Sequence, residues 1–195
     1  MTFLRDTAER LTVSGLTMPD LNKNLLPDDA VDRILGQWHC ERPDLDVSAM
    51  GVLGRLARTG ALVQKQLAVV FAEYELSHWE FDVLATLRRS GQPYRLSPTA
   101  LFSSLMLSSG TMTRQLQQLE SRGLIERLPN PADARSMLVQ LSSSGFSMIE
   151  KVIAAHAENQ HRILQGLDPE ACRQLDAGLK QLLLLLESRF PLQQS

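Results

Sequence analysis

Features of secreted, membrane and metal-binding proteins are scarce in this chain. Its 195 residues include only two cysteines, Cys40 and Cys172, which are too few for a disulfide framework and whose spacing suits no zinc ribbon. The longest leucine run, 182–186, has five residues, whereas a membrane helix needs about 20 apolar residues. The charged N-terminus precedes no long apolar stretch, which argues against a signal peptide. We therefore expect a protein of the reducing cytoplasm without membrane contact.

Motifs of common enzyme classes are also missing. The sequence contains no G-x-S-x-G nucleophile motif and no G-x-x-x-x-G-K-[ST] phosphate loop. The histidines are scattered, and His156 and His161 are five residues apart, a spacing that puts them on different faces of a helix. We predict no catalytic residues, no metal site and no cofactor.

Positive charge is concentrated in the middle of the chain. The whole sequence has a net charge of −2, but residues 83–135 contain seven arginines and three acidic residues, a local charge of +4. The remaining residues therefore carry −6. Because counterion release from nucleic acid depends on local charge, a basic segment within an acidic chain can still neutralise phosphates.

Apolar periodicity and capping residues predict a mainly helical fold with a small β-hairpin. Asp28 is predicted to cap a short helix that ends before Pro43, and a long helix is predicted over 47–74. Ser77 and Glu80 form a capping-box pattern, and Ser97, Ser108, Ser142 and Asp168 precede further helices. Two strands, 124–128 and 136–141, are predicted on either side of a turn-rich tip. The predicted organisation is an N-terminal arm (1–27), a short helix followed by a long helix (28–75), a lobe of short helices and a hairpin (76–145) and C-terminal helices (146–195).

The order short helix, tight turn, helix and hairpin is typical of a winged helix-turn-helix, whose second helix enters the major groove. Hydroxyl residues allow close approach to phosphates, and Arg114 and Gln115 can contact base edges. Arg135 near the hairpin tip is placed to enter a minor groove. The predicted DNA contacts are Ser97, Ser108, Ser109, Thr111, Thr113, Arg114, Gln115, Gln118, Arg127 and Arg135. Each feature alone also has a structural explanation, because serines often cap helices and surface arginines are usually only solvated.

Three motifs resemble the MarR family of transcriptional regulators: residues 80–87, the stretch from Ser109 to Ile125, and the wing 133–136 that leads to 141–145. The family's wing pattern pairs an Asp with an Arg two residues later, here Asp133 and Arg135, whereas its usual Thr is replaced by Ser142. The resemblance implies a homodimer whose first and last helices interleave, with two winged lobes on palindromic double-stranded DNA.

Residues 38–46, 81–89 and 93–96 are similar to the urate-responsive PecS/HucR branch of that family. The branch has an added N-terminal helix and a ligand site whose matching positions are Trp38, Asp82 and Arg114, with Arg95 as the fourth candidate. Urate is a planar anion that an indole can stack on and an arginine can bind through charge-assisted hydrogen bonds. The resemblance implies a repressor released by urate or a related purine or phenolic compound.

Simpler interpretations of these residues remain open. Trp38 fits the apolar stripe of its own helix, and Asp82 suits the first turn of a helix through the helix dipole. Cys40 could make the protein a redox-sensing regulator, although an inert thiol is the commoner situation. A winged-helix module that binds protein rather than DNA is the other alternative.

Overall fold

The fold is described by a computed structural model for residues 26–105, 112–131 and 133–190. The elements are α1 (Ala30–Glu41), α2 (Ser48–Glu73), α3 (His78–Arg89), β1 (Arg95–Leu96), α4 (Pro98–Leu105), α5 (Met112–Ser121), β2 (Ile125–Asn130), β3 (Asp133–Leu141), α6 (Ser143–Leu164) and α7 (Pro169–Arg189). The strands form one antiparallel sheet in the order β1-β3-β2. The predicted class, mainly helical with a small β-hairpin wing, is confirmed.

The chain divides into two compact units between Ala57 and Arg58, within α2. We call them the N-terminal unit (1–57) and the C-terminal unit (58–195). The predicted segments 28–75, 76–145 and 146–195 stay predictions, and nearly all of the predicted arm (1–27) lies outside the described residues.

Helix starts follow the capping residues of the sequence. Ser77 and Glu80 form the predicted capping box of α3, Ser142 caps α6 and Asp168 caps α7. The predicted cap of α1 is wrong by one residue. Asp29 rather than Asp28 accepts hydrogen bonds from the free backbone N–H groups of the first turn, and the side chain of Asp32 accepts one from the backbone N–H of Asp29. An acidic residue three positions after the cap is needed for the reciprocal hydrogen bond, and only Asp29 has one.

The hairpin is longer than predicted. The sequence predicts that a turn-rich tip at 129–135 interrupts the strands, but β2 and β3 continue through most of it, and Pro129 pairs with Met137. Proline is tolerated because β2 is an edge strand, where its missing N–H breaks no ladder. The register shifts between Pro129 and Asn130, so the wing is a long ribbon with an irregular tip.

The core of the C-terminal unit lies among the C-terminal part of α2, α3, α4, α5, α6 and the sheet. Its largest fully buried side chains are Phe71, Leu84, Leu87, Leu101, Leu119, Ile125, Ile149, Val83, Val139 and Val152. The sequence predicts one apolar face of α6 formed by Phe146, Ile149, Ile153 and Ala157. That prediction is partly wrong, because Ile153 is 40% exposed while Val152, His156 and Asn159 are buried with Ile149. His156 and Asn159 are polar although they are buried, so a pattern of apolar residues does not predict that face.

Helix α7 has no buried residue. The sequence predicts that this helix carries Leu175, Leu179, Leu182, Leu183 and Leu186. All five lie on α7, where Leu182 alone among them is half-buried and the other four are exposed. Among the described residues, no helix is long and apolar enough to cross a bilayer.

Candidate nucleic-acid interface and effector site

Helix α5 has one apolar face and one polar face. Leu116 and Leu119 are buried in the core, whereas Arg114 and Gln118 are exposed and Gln115 is half-buried. The buried pair fixes which side of α5 faces inward, so the predicted DNA-contacting side chains of its described part lie on the outer surface.

Several predicted DNA contacts cannot be placed. Ser108, Ser109 and Thr111 lie outside the described residues, as do the side chains of Thr113 in α5 and Arg135 in β3, so the wing ion pair of Asp133 with Arg135 stays a prediction. Ser97 is described, and its hydroxyl accepts a hydrogen bond from the N–H of Ala100 at 3.2 Å as the cap of α4.

The C-terminal end of α5 is bound to two different elements. Arg122, just after α5, donates from Nη1 to Oε1 of Glu80 in α3 at 2.8 Å. Nε of Arg127 in β2 lies 3.1 Å from Oε2 of Glu120. Arg127, a predicted DNA contact, therefore directs its charge toward α5, and its side chain is 27% exposed.

Glu80 is buried, with only 3% of its surface exposed. Oε2 accepts hydrogen bonds at 2.8 Å from the backbone N–H and the hydroxyl of Ser77, and Oε1 accepts from Arg122. Burial alone would raise the pKa of Glu80, but the hydrogen bonds from Ser77 and Arg122 hold the pKa below its ordinary value. Glu80 is therefore a buried carboxylate whose charge is needed where it lies.

Asp82 lies just after the first turn of α3, so the first-turn position suggested by the sequence is wrong by one residue. The side chain lies beside a group of rings. Its Oδ2 is 3.5 Å from Nε2 of His78, and His78 is 5.3 Å from the ring of Phe71, which stacks on His156 at 5.3 Å. Burial raises the pKa of Asp82, although the positive charges of His78, Arg89 and His156 oppose the shift. A partly desolvated carboxylate beside aromatic rings suits recognition of a planar polar molecule.

His156 is the deepest polar residue of this group. Burial lowers its pKa, the charge of His78 lowers it further, and Asp82 opposes both. Its Nδ1 is buried and has no hydrogen-bond partner among the described residues. An orphaned ring nitrogen beside Asp82 adds a polar atom to the predicted effector site.

The other predicted effector residues are exposed. Trp38 lies on α1 in the N-terminal unit and is 41% exposed. Arg95 lies on β1 opposite Gln140, and Arg114 lies on α5. Within the described residues, no hydrogen bond or ion pair joins Asp82 to Arg95 or Arg114. Cys40 is exposed on α1.

Sequence reasoning missed the partners of Asp82 and Glu80. The spacing of His78 and Asp82, four residues apart on one helix, could have indicated their contact. His156 and Arg122 are brought in by tertiary packing, from 74 and 42 residues away, and no local pattern signals them.

Comparison with known proteins decides the family. The sequence model of the MarR family matches residues 76–137. The regulator PecS of Dickeya dadantii is 44% identical over 149 residues, which are 76% of this chain and 90% of PecS. The chain belongs to the MarR family. The multiple antibiotic resistance protein MarR of Escherichia coli K12, another relative, is 29% identical over 67% of this chain and 90% of that protein.

Solved structures agree with this MarR-family assignment. A mutant of MarR from E. coli, crystallised with operator DNA, has a TM-score of 0.61 at 27% identity and covers 70% of this chain and 97% of that one. AbsC of Streptomyces coelicolor, at a TM-score of 0.66 and 21% identity, covers 74% and 97% and shares the fold. This MarR-family chain is a winged-helix, DNA-binding transcriptional regulator, and its relatives are regulators rather than enzymes.

Proposed function

We propose that this protein is a homodimeric repressor that binds a palindromic operator through α5 and the wing. A small aromatic or anionic effector, with urate as the first candidate, releases it from DNA. Trp38, Asp82, Arg95 and Arg114 are the predicted effector contacts, and Arg114 links the effector site to DNA binding.

The two-sided character of α5 carries the proposal. Its buried Leu116 and Leu119 fix the helix on the lobe, which leaves Arg114 and Gln118 on the outside. These are side-chain types that contact guanine and adenine edges or phosphates. The local charge of +4 over 83–135 supports contact with a polyanion.

The surface of α7 supports a dimer. Leu175, Leu179 and Leu186 are between 41% and 48% exposed on one stripe of this helix. A contiguous apolar stripe of this kind marks an interaction surface, and a second copy can bury it in a self-complementary contact.

Asp82 and its neighbours support a ligand-responsive regulator. The carboxylate is partly desolvated beside His78 and His156, and Phe71 and Phe81 stack within the same group at 4.5 Å. A planar anion would alter the charge balance of this group. Because Asp82 lies in α3, whose first turn holds Glu80, such a change would act on the lobe that carries α5.

A selection experiment tests the DNA-binding function. The wild-type protein is mixed with a random-sequence duplex pool, and the enriched duplex is then titrated at several salt concentrations. We expect a palindromic consensus and an affinity that falls steeply with salt, since phosphate contacts release counterions. Failure to enrich any duplex would favour the protein-interaction alternative.

Adding urate, xanthine or salicylate to the complex tests the effector. A ligand that binds only the native protein raises its melting temperature by mass action, and we expect urate to do so and to release the duplex. Trp38→Phe should weaken the urate response and leave operator affinity nearly unchanged. An equal loss of the urate response and of operator affinity would show that Trp38 is needed for folding rather than for effector binding.

A further inference from the structure

We propose that Glu80 and Arg122 are positioning residues that form a pivot at the C-terminal end of α5, setting the angle at which this helix meets DNA. The pivot rests on the proposed role of α5 in operator binding. It concerns residues that the predicted DNA and effector contacts do not include.

The geometry of the pivot comes from two ion pairs that start from positions two residues apart, Glu120 and Arg122. Arg122 is bound to Glu80 of α3 at 2.8 Å, and Glu120 lies 3.1 Å from Arg127 of β2. One pair joins the end of α5 to the helical part of the lobe, and the other joins it to the wing. Rotation of this end of α5 therefore breaks a charged contact on at least one side.

The rest of α5 is held by apolar contacts. Between Arg114 and Ser121, only Leu116 and Leu119 are buried, and apolar contacts set no unique angle. From Met112 to Arg122 the helix rises about 15 Å. A tilt of about 10° at the pivot would then move the N-terminal end by about 2.6 Å. Hydrogen bonds to base edges tolerate only a few tenths of an ångström, so the pivot controls base contact.

Glu80 does more than cap α3. Its Oε2 already completes the capping box with Ser77, and a glutamine would complete that box equally well. The second oxygen, Oε1, faces a guanidinium 42 residues further along the chain. The negative charge at position 80 therefore stabilises Arg122 as well as the helix start.

The position of Glu80 also connects the pivot to the effector site. Asp82 lies two residues later in α3, just beyond the first turn that holds Glu80. A ligand that shifts this turn would move Glu80 with it, and Arg122 would transmit the shift to α5. The pivot thus offers a route from effector to DNA that does not require the effector to contact α5.

Glu80→Gln tests the pivot, since it keeps the capping box and removes the charge opposite Arg122. The probes are the duplex enriched by the wild-type protein and a scrambled duplex of equal length. We expect about a tenfold loss of affinity for the enriched duplex. Affinity for the scrambled duplex should change less than about twofold, because the contacts with DNA phosphates that supply non-specific binding are unchanged.

Glu150→Gln is the matched control. It removes the 2.6 Å ion pair of Glu150 with Arg88, which joins α3 to α6 within the same C-terminal unit and does not involve α5. This variant should bind both duplexes like the wild type. Arg122→Gln should reproduce the loss of Glu80→Gln, and the double variant should be no worse than either single variant, because all three break one contact.

Two outcomes overturn the pivot while leaving the proposed function intact. One is wild-type affinity of Glu80→Gln for the enriched duplex. The other is a loss of affinity that is equal for both duplexes and that is proportional to the fall in melting temperature in both Glu80→Gln and Glu150→Gln. That result would show that the ion pair of Glu80 with Arg122 only stabilises the fold. Failure of the wild-type protein to enrich any duplex would instead refute operator binding itself.

Discussion

Gly145 lies where the first turn of α6 crosses the start of β2, and no side chain fits there. A Cβ at this position would lie 1.9 Å from the carbonyl oxygen of Leu124, a backbone atom that cannot rotate away. The approach is held by Ser142 and Ser144, whose hydroxyls both donate to the carbonyl oxygen of Gly123 at 2.6 Å. The S-S-S-G sequence after β3 is thus explained by packing.

We predict that Gly145→Ala lowers the free energy of unfolding by about 3 kcal/mol, the upper part of the range for overpacking. Denaturant unfolding followed by circular dichroism measures it. Gly178→Ala is the control, because Gly178 in α7 has no atom within 4 Å of a built Cβ. That change should be neutral or stabilise by up to about 1 kcal/mol. Equal changes in the free energy of unfolding for Gly145→Ala and Gly178→Ala would contradict the close approach of Gly145 to the carbonyl oxygen of Leu124.

Arg55 binds two carboxylates at the start of α1. Its Nε lies 2.8 Å from Asp29, and its Nη2 also donates to Asp32. The hydrogen bond from Arg55 is the largest cause that lowers the pKa of Asp29 to about 2. A lowered pKa in the folded state stabilises the protein above the ordinary pKa of about 3.9. This contribution is lost as the pH falls through about 2.

We predict that Arg55→Gln returns the pKa of Asp29 toward its ordinary value, as measured by carboxyl NMR titration. The pH window in which Asp29 stabilises the fold then shrinks. Arg42→Gln is the control, since Arg42 pairs with Asp44 and not with Asp29. An Asp29 pKa that stays near 2 in Arg55→Gln would show that the backbone N–H groups alone lower it.

At the scale of helices and strands, most of the fold follows from local signals. Ser77, Ser142 and Asp168 mark helix starts because a cap needs only neighbours within three residues. The left-handed φ of +67° at Gly123 ends α5 as the sequence indicates. The predicted strand bounds are wrong near Pro129, because edge position depends on the whole sheet.

The candidate site is less predictable than the elements that carry it. Arg114 and Asp82 follow from a family resemblance, which supplies positions without contacts. The hydrogen bond from Arg122 to Glu80 joins residues 42 apart in the sequence, and the ring contact of His156 with Phe71 crosses between helices. Such contacts depend on how helices pack, and periodicity within one helix does not specify that packing.

Helix α5 gives a prediction of its own. Arg114→Ala should lower operator affinity about tenfold, within the range for one arginine–base contact, and should abolish release by urate. The enriched duplex, titrated with and without urate, measures both. Lys151→Ala is the control because it removes an exposed positive charge from α6. An intact urate response in Arg114→Ala would refute the coupling through Arg114 and leave the pivot as the remaining route.

At the scale of the whole molecule, charge and apolar surface are segregated. The basic segment 83–135 coincides with α3, α4, α5 and the wing, while exposed leucines concentrate on α7. A positively charged surface suits a polyanion, and an exposed apolar helix suits a partner chain. Substitutions on α7 and on α5 therefore test assembly and DNA contact through different residues.

We predict that Leu179→Lys weakens the dimer by at least about tenfold, because it places a charge in the middle of the leucine stripe of α7. Analytical ultracentrifugation over a concentration series measures the change. Gln181→Lys is the matched control, since Gln181 is exposed on the same helix and lies off the stripe. Operator affinity of Leu179→Lys should fall with dimer concentration, because two linked lobes bind a palindrome far more tightly than one. If the Leu179→Lys protein is still fully dimeric, the leucine stripe of α7 is not the dimer contact.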